Sequence, residues 1–229
     1  MVKVILLLLF LLALYWLVPY ILTAGFGIGV LKRKDSSAKI AFTFDDGPNP
    51  IYTPQLLDLL KINNMKATFF VVGSKAEQYP ELIERMQAEG HLIGIHNYVH
   101  KSNWIMAPWM IRRHLRKSAS IIENITGERP IYYRPPWGLL NVFDFLLMKK
   151  YKIILWSVMA EDWSSKGGSE KIKKRLLRDM KNGDVILLHD CGKTFGADED
   201  APMNTIHALK DVFQELSSRG MSCVRIDEL

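Results

Sequence analysis

From Val4 to Val30 the chain carries no charged side chain, and Leu, Ile and Val dominate the first two thirds of that stretch. An apolar run longer than about 18 residues is a candidate to cross a bilayer as a helix. Beyond Asp35 the pattern changes. Short apolar stretches at 39–44, 67–72, 92–96, 131–134, 152–158, 184–188 and 222–226 read as strands. Between them, amphipathic stretches at 53–63, 77–88, 107–125, 141–150, 170–180 and 203–217 read as helices. Several strands are apolar on both faces, as parallel strands covered by helices must be. Gly73, Gly90, Gly127, Gly183 and Gly220 punctuate the alternation. The expectation is an α/β fold with about seven parallel strands, arranged as a doubly wound sheet or a barrel.

A length of 229 residues suits one medium domain, and no internal repeat or second domain is visible. The expected division is a membrane segment over 1–31, a short linker over 32–38 and one folded domain over 39–229. An uncleaved anchor fits the first segment better than a signal peptide. Its only early cation is Lys3, and Ala24 offers a poor cleavage site. Lys32, Arg33 and Lys34 follow the apolar run, which by the positive-inside rule points the domain to the cytoplasm.

The formal charge is +6, but residues 1–34 hold four cations and no acid. The rest is therefore only +2, which argues against a nucleic-acid partner. The basic run Lys171–Arg175 has helical spacing and reads as a solvated face. Cys191 and Cys223 are expected at opposite ends of neighbouring strands, too far apart for a disulfide.

The informative polar residues sit at strand ends. Asp45 and Asp46, His96, Arg134, Asp162 and His189 each lie at or just past the C-terminal end of a predicted strand. In a parallel barrel those ends share one face, where active sites are built. His96 and His100 are four residues apart, and two imidazoles plus a carboxylate make a three-ligand metal set with an open position. One of Asp45 and Asp46 can supply that carboxylate. The other is then free to take a proton from an activated water. His189 is placed to protonate a leaving group, with Asp162 or Asp190 as its acidic partner.

Phe44-Asp45-Asp46-Gly47-Pro48, His96-x-x-x-His100, Arg134-Pro135-Pro136-Trp137-Gly138, Asp162-Trp163 and Leu187-Leu188-His189-Asp190 occur in this order. In these motifs the chain resembles the polysaccharide deacetylases with a NodB-homology domain, carbohydrate esterase family four, over about residues 38–229. The resemblance implies a distorted (β/α) barrel and removal of N-acetyl groups from amino sugars with a divalent metal, most often zinc. It implies Asp45 as general base and Asp46, His96 and His100 as metal ligands. His189 would be the general acid with Asp162 as its partner, and Arg134 would orient Asp45 and favour its charged form. Trp163 and Leu187 would line an apolar slot for the acetyl methyl group, and Trp137 would offer a face for sugar stacking.

The chain departs from the family pattern at three places. Trp137 stands where tyrosine is usual, Asn97 where Ser or Thr is usual, and Met159 where an acid is common. The expected partners are an N-acetylated glycan of the cell wall or surface and, through residues 1–31, membrane lipid. The resemblance places the domain outside the cytoplasmic membrane, against the charge rule. A deacetylase of a small or lipid-linked N-acetyl sugar is the nearest alternative, and a catalytically impaired glycan-binding protein is the alternative from another class.

Overall fold

The computed structural model describes residues 1–35 and 38–229, so part of the expected linker, residues 36 and 37, lies outside the described residues. In chain order the elements are α1 (Val2–Tyr20), β1 (Val30–Leu31), β2 (Lys39–Asp45), α2 (Tyr52–Ile62), β3 (Thr68–Val71), α3 (Gly73–Gln78), α4 (Pro80–Ala88) and β4 (Leu92–Ile95). Then follow α5 (Pro108–Thr126), β5 (Tyr132–Tyr133), α6 (Val142–Leu147), β6 (Lys152–Ile154), β7 (Val158–Met159), α7 (Gly168–Asp179), β8 (Val185–His189), α8 (Ala201–Ser218) and β9 (Ser222–Cys223). The named strands pair in parallel in the order β1-β6-β5-β4-β3-β2-β8-β7, with β9 added beside β2. The sheet curls strongly but stays open between its two edges, β1 and β7. It is the distorted barrel implied by the family resemblance, with nine named strands where about seven were expected.

Two details differ from the periodicity reading, and both have local causes. The stretch expected as one strand over 152–158 breaks after Ile154. Its first half pairs with β5 and its second half, as β7, with β8. The expected helix over 77–88 is preceded by α3 and interrupted at Tyr79. Pro80 has no N–H to continue a helix and pushes the residue before it out of the helical region.

β2 is the central strand and shows how side chains are sorted. Ile40, Phe42 and Phe44 point to the helices, where Phe42 meets Phe213 of α8 edge-on at 5.5 Å between ring centroids. Burying each such ring contributes about 1.5–3 kcal/mol. Ala41 and Asp45, offset by one residue, belong to the opposite face inside the curl. There Ala41 joins Phe70, Tyr132, Ile154 and Val185 in a second apolar cluster. Register places Asp45 beside His189 of β8, and Ile95 beside Tyr133, so that His96 and Arg134 also emerge side by side.

α1 and the turn after it form an apolar helix, Val2–Thr23, long enough to cross a membrane. The chain then enters the sheet at once. Val30 and Leu31, expected to belong to the anchor, instead pair with Ile153 and Ile154. Lys34 N–H donates to the Gly183 carbonyl, and the Arg33 guanidinium donates to the buried Asp184 carboxylate at 2.6 Å. Residues 32–34, expected as the start of the linker, therefore run from β6 to the foot of β8.

Among the described residues, the Arg33→Ala variant leaves Asp184 its Ser157 hydroxyl and Lys181 N–H donors. It is expected to lose about 1–3 kcal/mol of stability. In a chain of this size that lowers the melting temperature by roughly 2–10 °C, measurable by thermal unfolding.

Candidate active site

The C-terminal ends of the strands bring nearly every residue singled out in the sequence to one place. Asp45, Asp46, His96, His100, Trp137, Trp163, Leu187 and His189 all line a cavity of about 370 Å³. Arg134 and Asp162 lie directly behind its wall, bonded to Asp45 and His189.

Asp45 ends β2 in extended backbone, whereas Asp46 has a φ of 75°. That left-handed conformation is tolerated by Asp and Asn better than by most residues. It turns the two adjacent carboxylates in different directions. Asp45 faces Arg134, whose Nη1 donates to Asp45 Oδ1 at 2.7 Å and to Thr43 Oγ1 at 2.7 Å. Arg134 is fully buried, so its other donors also need acceptors. Nε donates to the Ile154 carbonyl at 3.2 Å and Nη2 to the Leu155 carbonyl at 3.0 Å, with the Phe70 ring 4.3 Å from the guanidinium carbon. Burial pushes the Arg134 pKa down, and the Asp45 charge works against that.

Asp46 faces the two imidazoles. Its Oδ1 is 3.3 Å from His96 Nε2 and 3.1 Å from His100 Nε2, and it is buried without a hydrogen bond. Nδ1 of His96 lies 2.7 Å from the Arg134 carbonyl oxygen, which can only accept, so Nδ1 carries the proton. With its proton on Nδ1, His96 turns its Nε2 lone pair towards the carboxylate. Burial pushes His100 down to about 4, so its ring is neutral near pH 7. Burial alone would raise the Asp46 pKa. The His96 contact and the imidazoles of His189 and His100 outweigh it and hold the carboxyl well below the usual range. Three lone-pair donors within 4.8 Å of one another repel unless a cation lies among them. Two imidazole nitrogens and one carboxylate oxygen therefore fit a divalent metal. Thr194 adds a bond from its hydroxyl to Asp46 Oδ2 at 2.7 Å.

The loop bearing the histidines is held from behind. Asn97 has a φ of 60°, again left-handed, which suits Asn better than the Ser or Thr usual in the family pattern. Its amide donates to the Lys101 carbonyl and to Asn103 Oδ1, and its own Oδ1 accepts from the Tyr133 hydroxyl. Asn103 donates in turn to Tyr133 and to Asp144, which burial pushes up to about 7. All of these side chains lie below the cavity floor.

His189 closes β8. Asp162 accepts from both its Nδ1, at 2.9 Å, and its backbone N–H, at 2.8 Å, and from the Thr205 hydroxyl at 3.0 Å. Burial would lower the His189 pKa, but the Asp162 carboxylate prevails and raises it to about 9. Asp190, the other candidate partner, points away and accepts from the Thr53 hydroxyl at 2.5 Å. Cys191 is buried and receives a bond from Lys75 at 3.0 Å, and neither it nor Cys223 is in a disulfide.

The walls are aromatic. Trp137 is held at a φ of 56°, an unusual conformation for a large side chain, and stands edge-on to His100 at 4.3 Å. Gly138 follows at a φ of 68°, and a Cβ there would lie 2.8 Å from the Trp156 ring. Trp163 stands edge-on to His189 at 5.8 Å. Met159, Trp156 and Phe195 complete the lining. Trp156 falls where the strand breaks, which periodicity did not show. Thr194 and Phe195 lie in the glycine-containing stretch after Asp190, which the sequence offers as a wall of the cleft and which lines the cavity here. Thr43 was legible, as an inward polar position between Phe42 and Phe44.

The polysaccharide deacetylase family profile matches residues 32–153. A peptidoglycan-N-acetylglucosamine deacetylase of Bacillus cereus is 35% identical over 196 residues, covering 83% of this chain and 87% of that protein. The peptidoglycan-N-acetylmuramic acid deacetylase PdaC of Bacillus subtilis is also 35% identical over 83% of this chain, which spans only 38% of that longer protein. Among solved structures, that of the peptidoglycan N-acetylglucosamine deacetylase Bc1960 superposes with a TM-score of 0.80, at 29% identity, covering 90% of this chain and 94% of that one.

Replacing Arg134 with Met strands the Asp45 carboxylate in the interior. The variant is expected to lose about 3–5 kcal/mol. Adding Asp45→Asn removes the stranded charge and should recover a large share of that loss in denaturant unfolding.

Proposed function

The chain belongs to the polysaccharide deacetylase family, and on that premise we propose that its site removes N-acetyl groups from amino sugars of a peptidoglycan-type glycan. The observation that carries this reading is the meeting of three parts in one cavity. Asp45 is held by Arg134, His189 by Asp162, and between them lies the Asp46, His96 and His100 set. A pure glycan binder needs the aromatic walls but has no use for a base, an acid and a metal set together. The B. cereus and B. subtilis relatives are named for peptidoglycan amino sugars, which supports the same substrate class here.

In this reading Asp46, His96 and His100 hold a divalent ion, and zinc suits two imidazoles and a carboxylate. When bound, such an ion polarises the amide carbonyl and acidifies a water molecule. Asp45 takes the proton of the attacking water, because the other carboxylate is committed to the imidazoles. Its Oδ1 is fixed by Arg134, and its Oδ2 faces His96 at 3.9 Å. His189 gives a proton to the departing amine through Nε2, since Nδ1 is tied to Asp162. Leu187 and Trp163 accept the acetyl methyl group, and Trp137 stacks on the sugar. The domain works outside the cytoplasmic membrane, where such glycan lies. One of the three cations that favour the opposite orientation, Arg33, is already paired with Asp184 inside the fold.

Acetate release from peptidoglycan fragments and N-acetylglucosamine oligomers tests this directly. A chelator should abolish release, and zinc or cobalt should restore it. Asp46→Ala should lose both the metal and the activity while staying folded. Asp45→Asn should keep the metal and lose a factor of about 10²–10⁴ in kcat. A folded, metal-loaded protein that releases no acetate from any of these substrates would overturn the assignment.

The His189–Asp162 pair sets the alkaline limit. A general acid works in its protonated form, below its pKa, here raised to about 9. Asp162→Asn removes the carboxylate that raises it, so the alkaline limb of the kcat profile should move to lower pH by about 1–3 units.

A further inference from the structure

The course of α1 along the domain gives the catalytic end a direction. Only its last turns touch the body. Tyr15 and Trp16 are half-buried, Pro19 and Thr23 are buried, and the Trp16 indole stacks on Trp104 with 5.9 Å between centroids. Trp104 follows Asn103, which is bonded to Asn97 beside the ligand His96, so this contact lies at the catalytic end. Farther along, Gly29 packs on Met148, just past α6 and just before β1 begins its parallel run with β6. Gly29 therefore lies towards the foot of the barrel. Traced backwards, α1 climbs from the foot, passes the catalytic rim at Trp16, and continues beyond it. Val2–Leu14 are all exposed, and at about 1.5 Å per residue they rise roughly 20 Å beyond the rim, about two thirds of the thickness of a hydrocarbon core of about 30 Å.

The rim on this side has an unusual surface. Ile105 is 70% exposed and Trp109 is 74% exposed. Behind them, α5 presents Arg112, Arg113, Arg116 and Lys117 to solvent, and its first acid is Glu123. Arg112 lies over Phe143 of α6, and Lys117 meets Glu77 of α3 at 3.4 Å. Exposed Trp and Ile backed by a row of Arg and Lys is the composition of a surface that rests in a lipid interface over anionic headgroups. It is continuous with the apolar helix that leaves the rim at the same place.

We infer that the rim from Ile105 to Lys117 docks on an anionic bilayer, so that the cavity opens over the membrane surface. Ile105 and Trp109 enter the interface, and the four cations meet lipid phosphates. The opposite wall, Thr194–Ala197, stays in water and leaves an entrance along the membrane plane. Resting on the deacetylase reading above, this makes the substrate class amino-sugar glycan held at the bilayer, rather than distant wall layers.

The test uses the full chain in nanodiscs, with nitroxide labels at Ile105→Cys, Trp109→Cys and, at the foot of the barrel, Ser218→Cys. Cys191 and Cys223 are buried and should not compete for label. In discs containing phosphatidylglycerol, the first two labels should collide mainly with oxygen and the third mainly with a water-soluble nickel complex. Reversing charge at Arg113, Arg116 and Lys117 should return the first two labels to water. Acetate release from a short soluble oligomer should stay unchanged, while release from a lipid-linked amino sugar falls severalfold.

Labels at 105 and 109 as aqueous as the one at 218 would overturn the inference. So would equal immobilisation of those labels by a soluble anionic glycan in lipid-free detergent, which would assign the basic face to the polymer. The label readout does not depend on catalysis. Failure of the deacetylase reading would show as no acetate from any substrate, with label depths intact.

Discussion

The Arg134 side chain and its own carbonyl hold the catalytic end together. The guanidinium is fully buried and ties β2 to the end of β6 through Asp45, Thr43, Ile154 and Leu155. The carbonyl of the same residue accepts from His96 and so decides which imidazole nitrogen faces Asp46. One position thereby orients the Asp45 carboxylate and sets the tautomer of His96. A cation without water must be paired and hydrogen-bonded at nearly every donor. Four strand ends therefore have to meet in a single arrangement, and the cavity is built before any ligand arrives. Lysine could not replace it, because a point charge on a flexible stem cannot reach several fixed acceptors in one plane.

Around this fixed centre the backbone departs from its comfortable regions at Asp46, Asn97 and Trp137, as it also does at Glu161 beside Asp162. Each of the first three follows or lies near a strand end and carries a side chain that must point where extended backbone would not send it. The first turns one acid to the imidazoles while its neighbour faces the guanidinium. The second bends the histidine loop so that His96 and His100 converge on one oxygen. The third swings an indole over the mouth. Such conformations persist when surrounding bonds over-determine them. The buried network of Asn97, Asn103, Tyr133 and Asp144 does this for the histidine loop.

Much of this was legible in the chain. The alternating apolar stretch that ends in Asp45 and Asp46 marked the strand and put both acids at its C-terminal end. The placement of polar residues at successive strand ends gave the cavity. Charge and spacing left Asp162 and Asp190 level as partners for His189; the family resemblance pointed to Asp162, and the folded chain agrees by sending Asp190 to Thr53. Trp156 was hidden because a strand that changes neighbours midway keeps its apolar pattern while its pairing breaks. Thr194 and Phe195 lie in a loop whose shape is set by contacts with Asp46 and with the turn after Trp163, far away in sequence. Val30 and Leu31 were read as the end of the anchor, since two apolar residues beside a long apolar run carry no separate signal.

The placing of those two residues has a consequence for biosynthesis. Val30 and Leu31 leave the ribosome long before their partners Ile153 and Ile154, and Arg33 waits for Asp184, 151 residues on. Closing so long a loop requires the intervening units to be folded already. During synthesis the apolar helix can settle while the body behind it is still an independent, swivelling mass. Only when β8 is made does the body clamp onto its own stem. The making of β8 is then the moment at which the body acquires a fixed bearing on its apolar helix.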